Sequence, residues 1–460
     1  MKSSLQKELW NSYKYLPHLK VLELCFMENL LNTPDFNGLP YLQKLKLGFC
    51  SKLEEIHPSL GNHRSLENVS VLSCYKLRIL PPIGQMEKLN TLMLLGNPIE
   101  LPEIQVNMER LVNLTLNRAN INFLESLIEE CYTQVETVFY QLTSIVQKLN
   151  VKSLRKLNLG GWGLKDREIP SDIGELSNLE ELDLGGNDFS RLYFSLSNLT
   201  RLRLLCLTRC RSLVELPELP SSVAILEADY CYSLNSVLNS HGNCKKLYEA
   251  SLVGGGIIVD GSRLLQSMLQ GSDIGNHCMI LQLEGVEIPK RLLPWLVSGK
   301  TCRLQLPENW CNDFSGFLMC VACTRDLIPQ KHIRIRMEQM MSGGLGMDSQ
   351  YDEEPWTESA DDRRTWVGFV SFDLLKHTLW WDETYNTLSF SFEESSFSLP
   401  EFHNLCSGFG IGLVPKKIGI ASAETTSKCS PAFSNYSPNF RIAHDSVSAL
   451  TISFNNKSYL

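Results

Sequence analysis

The 460-residue chain is 20% charged and 43% hydrophobic, with a formal net charge of -8. That balance describes an ordinary folded protein and argues against a nucleic-acid backbone as its main ligand. No run approaches the roughly 18 apolar residues of a membrane span, and the opening MKSSLQKELWNSYKY lacks the apolar core of a secretory signal. The expected location is therefore cytoplasmic and/or nuclear, without a membrane span. Fifteen cysteines, an odd number, read as reduced thiols rather than a disulfide framework.

In chain order, the first element is a frame with leucines at intervals of three and two. It occurs at Leu19/Leu22/Leu24, Leu42/Leu45/Leu47, Leu66/Val69/Val71, Leu89/Leu92/Leu94 and Leu111/Leu114/Leu116. It returns at Leu154/Leu157/Leu159, Leu179/Leu182/Leu184, Leu202/Leu205/Leu207 and Val223/Leu226/Ala228. The starts are 23, 24, 23, 22, 43, 25, 23 and 21 residues apart, and the gap of 43 splits if Val135/Val138/Tyr140 is a degenerate copy. Three residues beyond the third leucine, Cys50, Cys74, Asn97, Asn187, Cys210 and Cys231 fill a slot suited to bonding the backbone that leaves a strand. Met27, Ala119 and Trp162 fill it in weaker copies. A period in the twenties with L-x-x-L-x-L-x-x-N/C is the leucine-rich repeat signature, whose units bury their apolar faces only by stacking. The expectation is an α/β leucine-rich-repeat solenoid of about ten repeats, occupying residues 1–246.

Within a strand, alternate residues face opposite ways, so the leucines point inward and the residues between them line the concave sheet. Neighbouring repeats then set Arg155 beside Glu180 and Lys156 beside Glu181, with Asp183 alongside. Such lateral charge pairs are worth roughly 0 to 1 kcal/mol on an exposed surface and do not make a binding site. More informative are apolar residues where polar ones would suffice, because exposed apolar clusters mark contact surfaces. The candidate protein-binding surface is Phe26, Phe49, Leu72, Met93 and Leu95 on the first four repeats, with Leu204, Cys206, Ile225 and Tyr230 on two later ones.

Beyond residue 246 the texture becomes β-rich. CMILQL (278–283), CRLQL (302–306), GFLMCVAC (316–323), HIRIRM (332–337), WVGFVSF (366–372), TLSFSF (387–392), GFGIGLV (408–414) and SALTISF (448–454) predict a sandwich of eight strands in residues 247–460. The acidic stretch 338–364 reads as a disordered surface loop or a mobile binding loop.

Chemical motifs fail on inspection. SGKT at 298–301 would need a glycine at position 294, where Pro294 stands, and GGGIIVDG and GFGIG both miss the third glycine of a dinucleotide fingerprint. Cys320 and Cys323 alternate within an apolar strand, with no second pair at zinc spacing. No H-E-x-x-H or G-x-S-x-G occurs. The expectation is a protein with no catalytic residues, cofactor or metal, and so no enzyme.

The opening KELWNSYKYLPHLKVLELCFMENLLNTPDFNGLPYLQKLKLGFCSKLEEIHPSLGN resembles the first repeats of plant TIR-type nucleotide-binding leucine-rich-repeat disease resistance proteins. Residues 286–322 are similar to the jelly-roll/Ig-like (C-JID) domain that follows the repeats in that family, above all at LPENWCNDFSGF with Trp310, Asn312, Asp313 and Gly316. The usual step before it survives only in degraded form, as LEGVEIPKRLLPW. The resemblance implies the sensing half of an intracellular immune receptor. Its ligand would be a pathogen effector protein, bound through the concave repeat face and post-repeat loops. It further implies TIR and nucleotide-binding domains as partners, against which the Phe26 to Leu95 cluster would rest if it is not itself the ligand surface. The other reading is a repeat scaffold or decoy that binds host proteins.

Overall fold

The computed structural model describes residues 9–10, 13–83, 85–97, 109–117, 153–236, 246–255, 261–269, 278–284, 296–298, 301–323, 332–340, 364–382, 384–385, 387–393, 406–416, 440–446 and 449–455. The chain divides into two compact units, Met1–Leu247 with Gly254–Gly256, and Tyr248–Val253 with Ile257–Leu460.

In the first unit each copy of the frame forms a short strand: β1 (Val21–Cys25), β2 (Lys44–Gly48), β3 (Asn68–Leu72), β4 (Thr91–Leu95), β5 (Asn113–Asn117), β6 (Lys156–Asn158), β7 (Glu181–Asp183), β8 (Leu204–Cys206) and β9 (Ile225–Glu227). Each pairs in parallel with the next, aligning Leu22, Leu45, Val69, Leu92, Leu114, Leu157, Leu182, Leu205 and Leu226 in one register row. The whole row is buried, as is the row of third positions from Leu24 to Ala228. Burying a leucine stabilises by about 1.5–3 kcal/mol, but only once a neighbouring copy covers it, which is why the units stack. The chain returns through short 3-10 turns at Phe36–Gly38, Pro58–Asn62 and Ser171–Glu175. Leu30, Leu53, Leu60 and Leu77 complete the core from that side.

The repeat count needs two corrections. Asn113 of β5 pairs directly with Lys156 of β6, and both Arg155 and Lys156 donate main-chain N–H groups to the Val112 carbonyl. No rung fits between these two strands, so β1 to β9 are nine strands among the described residues; the degenerate copy Val135/Val138/Tyr140 lies outside the described residues. Leu247/Ala250/Leu252 is a further copy of the frame, 24 residues after Val223, and forms β10 (Glu249–Leu252).

Two backbone devices repeat along the ladder. The residue after each strand's last carbonyl row donates its N–H to the next repeat: Phe26 to Gly48, Phe49 to Leu72, Ser73 to Leu95, Gly96 to Asn117, Gly161 to Gly185, Gly186 to Thr208 and Arg209 to Asp229. All seven of these donors, and Tyr230, have φ between 49° and 74°. Glycine adopts this conformation without strain, whereas a side chain costs about 1–2 kcal/mol there. Gly254 continues the slot, and its missing Cβ leaves room for the Tyr230 ring, which a Cβ would meet at 2.5 Å.

The second device is the Asn/Cys slot. Asn97 Nδ2 donates to the Val71 carbonyl at 2.7 Å, Asn187 Nδ2 to Leu159 at 3.0 Å, Cys210 Sγ to Leu184 at 3.3 Å and Cys231 Sγ to Leu207 at 3.1 Å. Each acceptor belongs to the third position of the preceding frame. Cys50 Sγ does the same with Leu24 at 3.4 Å.

The second unit contains all eight sequence-predicted strands and three more. After β10 come β11 (Cys278–Glu284), β12 (Leu296–Ser298), β13 (Thr301–Gln305), β14 (Phe314–Cys323), β15 (His332–Gln339), β16 (Arg364–Ser371), β17 (Thr387–Glu393), β18 (Cys406–Pro415), β19 (Phe440–His444) and β20 (Ala449–Asn455). One sheet runs β10-β11-β16-β14-β18-β12, parallel at β10-β11 and antiparallel thereafter. The other runs β13-β17-β15-β20-β19, all antiparallel. Phe317, Met319 and Val370 of the first sheet share one apolar core with Met337, Phe390 and Ile452 of the second. The alternation in runs such as CRLQL supplies that face, buried at Cys302 and Leu304 and exposed at Arg303 and Gln305.

Candidate protein-binding face

Opposite the leucine rows, the ladder presents two register rows of side chains. One runs Val21, Lys44, Asn68, Thr91, Asn113, Lys156, Glu181, Leu204, Ile225; the other runs Glu23, Lys46, Ser70, Met93, Thr115, Asn158, Asp183, Cys206, Glu227. These positions alternate with the inward-pointing leucines, so how far each side chain is exposed is set by its neighbours across the face.

Phe26 and Phe49 are 72% and 37% exposed and stack in parallel, with ring centroids 5.0 Å apart and 2° between planes. Leu72 and Leu95 are register partners, Met93 stands on the adjoining row, and all three are half-buried. These five candidates form one cluster across β1 to β4. Ile225 and Tyr230 are half-buried at the other end of the ladder, separated by the polar stretch β5 to β7. Leu204 lies in the outward row between Glu181 and Ile225 but is only 9% exposed, so it offers little open surface. Cys206 beside it is buried too.

The middle of the face is a hydrogen-bonded network. Lys156 Nζ meets Glu181 Oε1 at 2.6 Å, and Arg155 pairs with Glu180, as the repeat spacing predicts. Asn117 Nδ2 donates to Asn158 Oδ1 at 3.0 Å, and Asn158 Nδ2 donates to Asp183 Oδ2 at 2.7 Å. The Gly185 amide donates to Asp183 Oδ1 at 2.9 Å. Asp183 is half-buried and hydrogen-bonded on both oxygens, and desolvation pushes its carboxyl above the usual range despite those donors.

Sequence reasoning missed the left-handed slot, although its signal was present: the residue two beyond the third leucine is glycine at Gly96, Gly161 and Gly186. It placed Trp162 only as a weak copy of the slot and did not foresee its bond. That residue occupies an Asn/Cys slot, and its indole N–H donates to the Leu116 carbonyl, doing the work of the asparagine.

His57, Ser59 and Asp35 come together between the first repeats, a combination that invites comparison with a proton relay. Ser59 Oγ lies 2.8 Å and Asp35 Oδ1 3.7 Å from the same ring nitrogen, His57 Nδ1. A relay needs its nucleophile and carboxylate on opposite ring nitrogens. Ser59 is also buried and accepts from the Phe36 amide at 2.9 Å, so the trio ties two turns together. Among the described residues no group of three His, Cys, Asp or Glu side chains is placed to hold a metal ion.

Cys50, Cys74, Cys210 and Cys231 are buried free thiols. Burial pushes Cys210 up and Cys231 up to about 12. Cys74 donates to Cys50, which pulls Cys50 down to about 7 and pushes Cys74 up.

In the second unit the LPENWCNDFSGF segment is structural. Trp310 is buried against Phe372 and Trp381, with both centroid separations 4.9 Å. A Cβ on Gly316 would lie 2.2 Å from the Val370 carbonyl, so strand β14 can pass β16 there only as glycine. Most of the acidic stretch 338–364 lies outside the described residues.

No family model matches the chain. It is 27% identical over 419 residues to TMV resistance protein N of Nicotiana glutinosa, covering 70% of this chain and 37% of that protein. It is 30% identical over 239 residues to the disease resistance protein RPS4B of Arabidopsis thaliana, covering 50% of this chain and 19% of that one. To the Arabidopsis disease resistance protein RML1B it is 26% identical over 371 residues, 78% of this chain and 32% of the relative. The chain thus spans about a third or less of the length of these relatives. They are TIR-type nucleotide-binding leucine-rich-repeat disease resistance proteins, the family that the sequence resembles. Among solved structures, the leucine-rich repeat domain of the type III effector XopL is 21% identical, covering 52% of this chain and 70% of its own, with a TM-score of 0.32.

Proposed function

We propose that the chain is the effector-recognition half of an intracellular plant immune receptor, working by binding and not by catalysis. The carrying observation is that its curated relatives are plant disease resistance proteins while its repeats present a face whose side chains the core does not use. On this reading a pathogen protein binds the concave face at Phe26, Phe49, Leu72, Met93, Leu95, Ile225 and Tyr230, and post-repeat loops contribute. The functional modules are residues 1–246, a leucine-rich-repeat domain, and residues 247–460, a jelly-roll/Ig-like (C-JID-like) domain. Two sheets on a common core support the latter assignment. The protein would act in the cytoplasm and/or nucleus, with TIR and nucleotide-binding domains of a receptor as further partners.

The test is a binding screen of the purified chain against pathogen effectors, with Met93→Glu and Ile225→Glu as face-disrupting variants. An effector that binds the chain and loses affinity for either variant supports the reading. Effectors that bind neither chain nor variants, set against host proteins that do bind, would replace it with the scaffold reading. NAD cleavage or ATP hydrolysis above a heat-inactivated control would sink the non-enzymatic part.

A further inference from the structure

The lysines of the first two repeats differ from those in the middle of the ladder. Lys156 and Arg155 are paired with Glu181 and Glu180. Lys20, Lys44 and Lys46 are exposed and make no ion pair among the described residues. Glu23, opposite Lys46 in the register, is the single carboxylate on β1 and β2 and does not bridge to it. Lys44 and Lys46 stand two apart on one strand and so roughly 7 Å apart, the separation of same-side side chains in an extended peptide.

Phe26 and Phe49 close the same two strands. Gly96, Gly161 and Gly186 make the equivalent backbone bond with no strain, whereas Phe26 and Phe49 hold φ of 59° and 54°. The rings stack on each other and remain exposed, so they give the core little in return. Strain kept at an exposed aromatic pair marks a functional position.

We propose that the β1–β2 rim binds an acidic polypeptide segment carrying an aromatic or aliphatic side chain. The apolar side chain lies against the Phe26–Phe49 pair, and the segment's carboxylates meet Lys20, Lys44 and Lys46. This rests on reading the repeat face as a protein-binding surface and gives the chemistry of the partner. A polypeptide fits better than a nucleic acid or an anionic membrane: three lysines around one glutamate, on a chain of net charge -8, form a small patch and not a polyanion track.

The probe is the random copolymer poly(Glu,Tyr), compared with poly-Glu of equal length on the full chain at low ionic strength. The copolymer is expected to bind about tenfold tighter than poly-Glu, and Lys44→Glu with Lys46→Glu to weaken both by about tenfold or more. Phe26→Gly with Phe49→Gly should remove the copolymer's advantage while the melting temperature holds or rises, because the backbone strain is relieved. Equal binding of the two polymers, variants that bind like the parent, or single-stranded DNA or phosphatidylserine vesicles binding as tightly as the copolymer would each overturn it. An effector that binds undiminished by both double variants sinks this proposal and leaves the receptor reading standing. The copolymer behaving as stated while no effector binds does the reverse.

Discussion

The indole N–H of Trp162 donates to the main-chain carbonyl of Leu116, 46 positions earlier in the sequence. At Cys50, Asn97, Asn187, Cys210 and Cys231 the cross-repeat partner lies 24 to 28 positions away, as with Cys231 and Leu207 or Asn187 and Leu159. The long step exists because β6 follows β5 directly in the sheet, and Trp162 fastens that joint.

Replacing Trp162 by Phe keeps a large ring and removes the donor. The Leu116 carbonyl then lacks this partner, at an expected cost of about 1–3 kcal/mol. Urea unfolding should show a lower midpoint with an unchanged slope. A midpoint equal to the parent's would mean the bond carries no stability.

Leu182 is fully buried in the register row. Leu182→Asp places an unpaired carboxylate between stacked repeats and should cost several kcal/mol, about 4 or more. Asp183→Ala, next along the strand, should not be silent as an open-face position would be: it deprives the Gly185 amide and Asn158 Nδ2 of their acceptor. A loss of about 1–2 kcal/mol is expected, intermediate between the parent and Leu182→Asp. Equal melting of the two variants would show the register to be wrong.

Ser73 is fully buried at φ 49°, and its hydroxyl has no partner among the described residues. Ser73→Gly removes both the backbone strain and the unpaired hydroxyl, and adds back the entropy cost of a glycine. The net is an expected gain of about 1–2 kcal/mol, read as a higher melting temperature. A lower melting temperature would show that the hydroxyl is satisfied.

His63 is buried beneath the second repeat's turn, and desolvation holds its imidazole below the ordinary value. The folded state therefore favours the neutral ring. Its contribution is complete above the unfolded value of about 6.5 and is lost as pH falls through the lower folded value. Asp183 has the opposite sign, since its raised carboxyl contributes most at low pH and loses that contribution as pH rises through the folded value. Unfolding free energy measured from pH 7.5 to 5 should fall more steeply for the parent than for His63→Gln. Parallel curves would show that His63 is not the titrating group.

The sequence by itself determined the repeat fold, because the leucine frame is a demand of burial: Leu22, Leu45 and their successors can leave water only by stacking at a fixed interval. It also determined the eight strands of the second unit, through alternation at sites such as Cys302 and Leu304, and the Asn/Cys slot, whose chemistry is local. The lateral pairs Arg155–Glu180 and Lys156–Glu181 followed from the same arithmetic. Tertiary structure decided what depends on distant neighbours. Leu204 and Asp183 occupy outward positions in the frame, yet their exposure is set by residues on adjoining strands more than twenty positions away, which the period does not specify. The joining of β5 to β6 and the direction of Phe26, Phe49 and Ser73 were decided by inter-repeat hydrogen bonds, whose partners exist only once the ladder has formed.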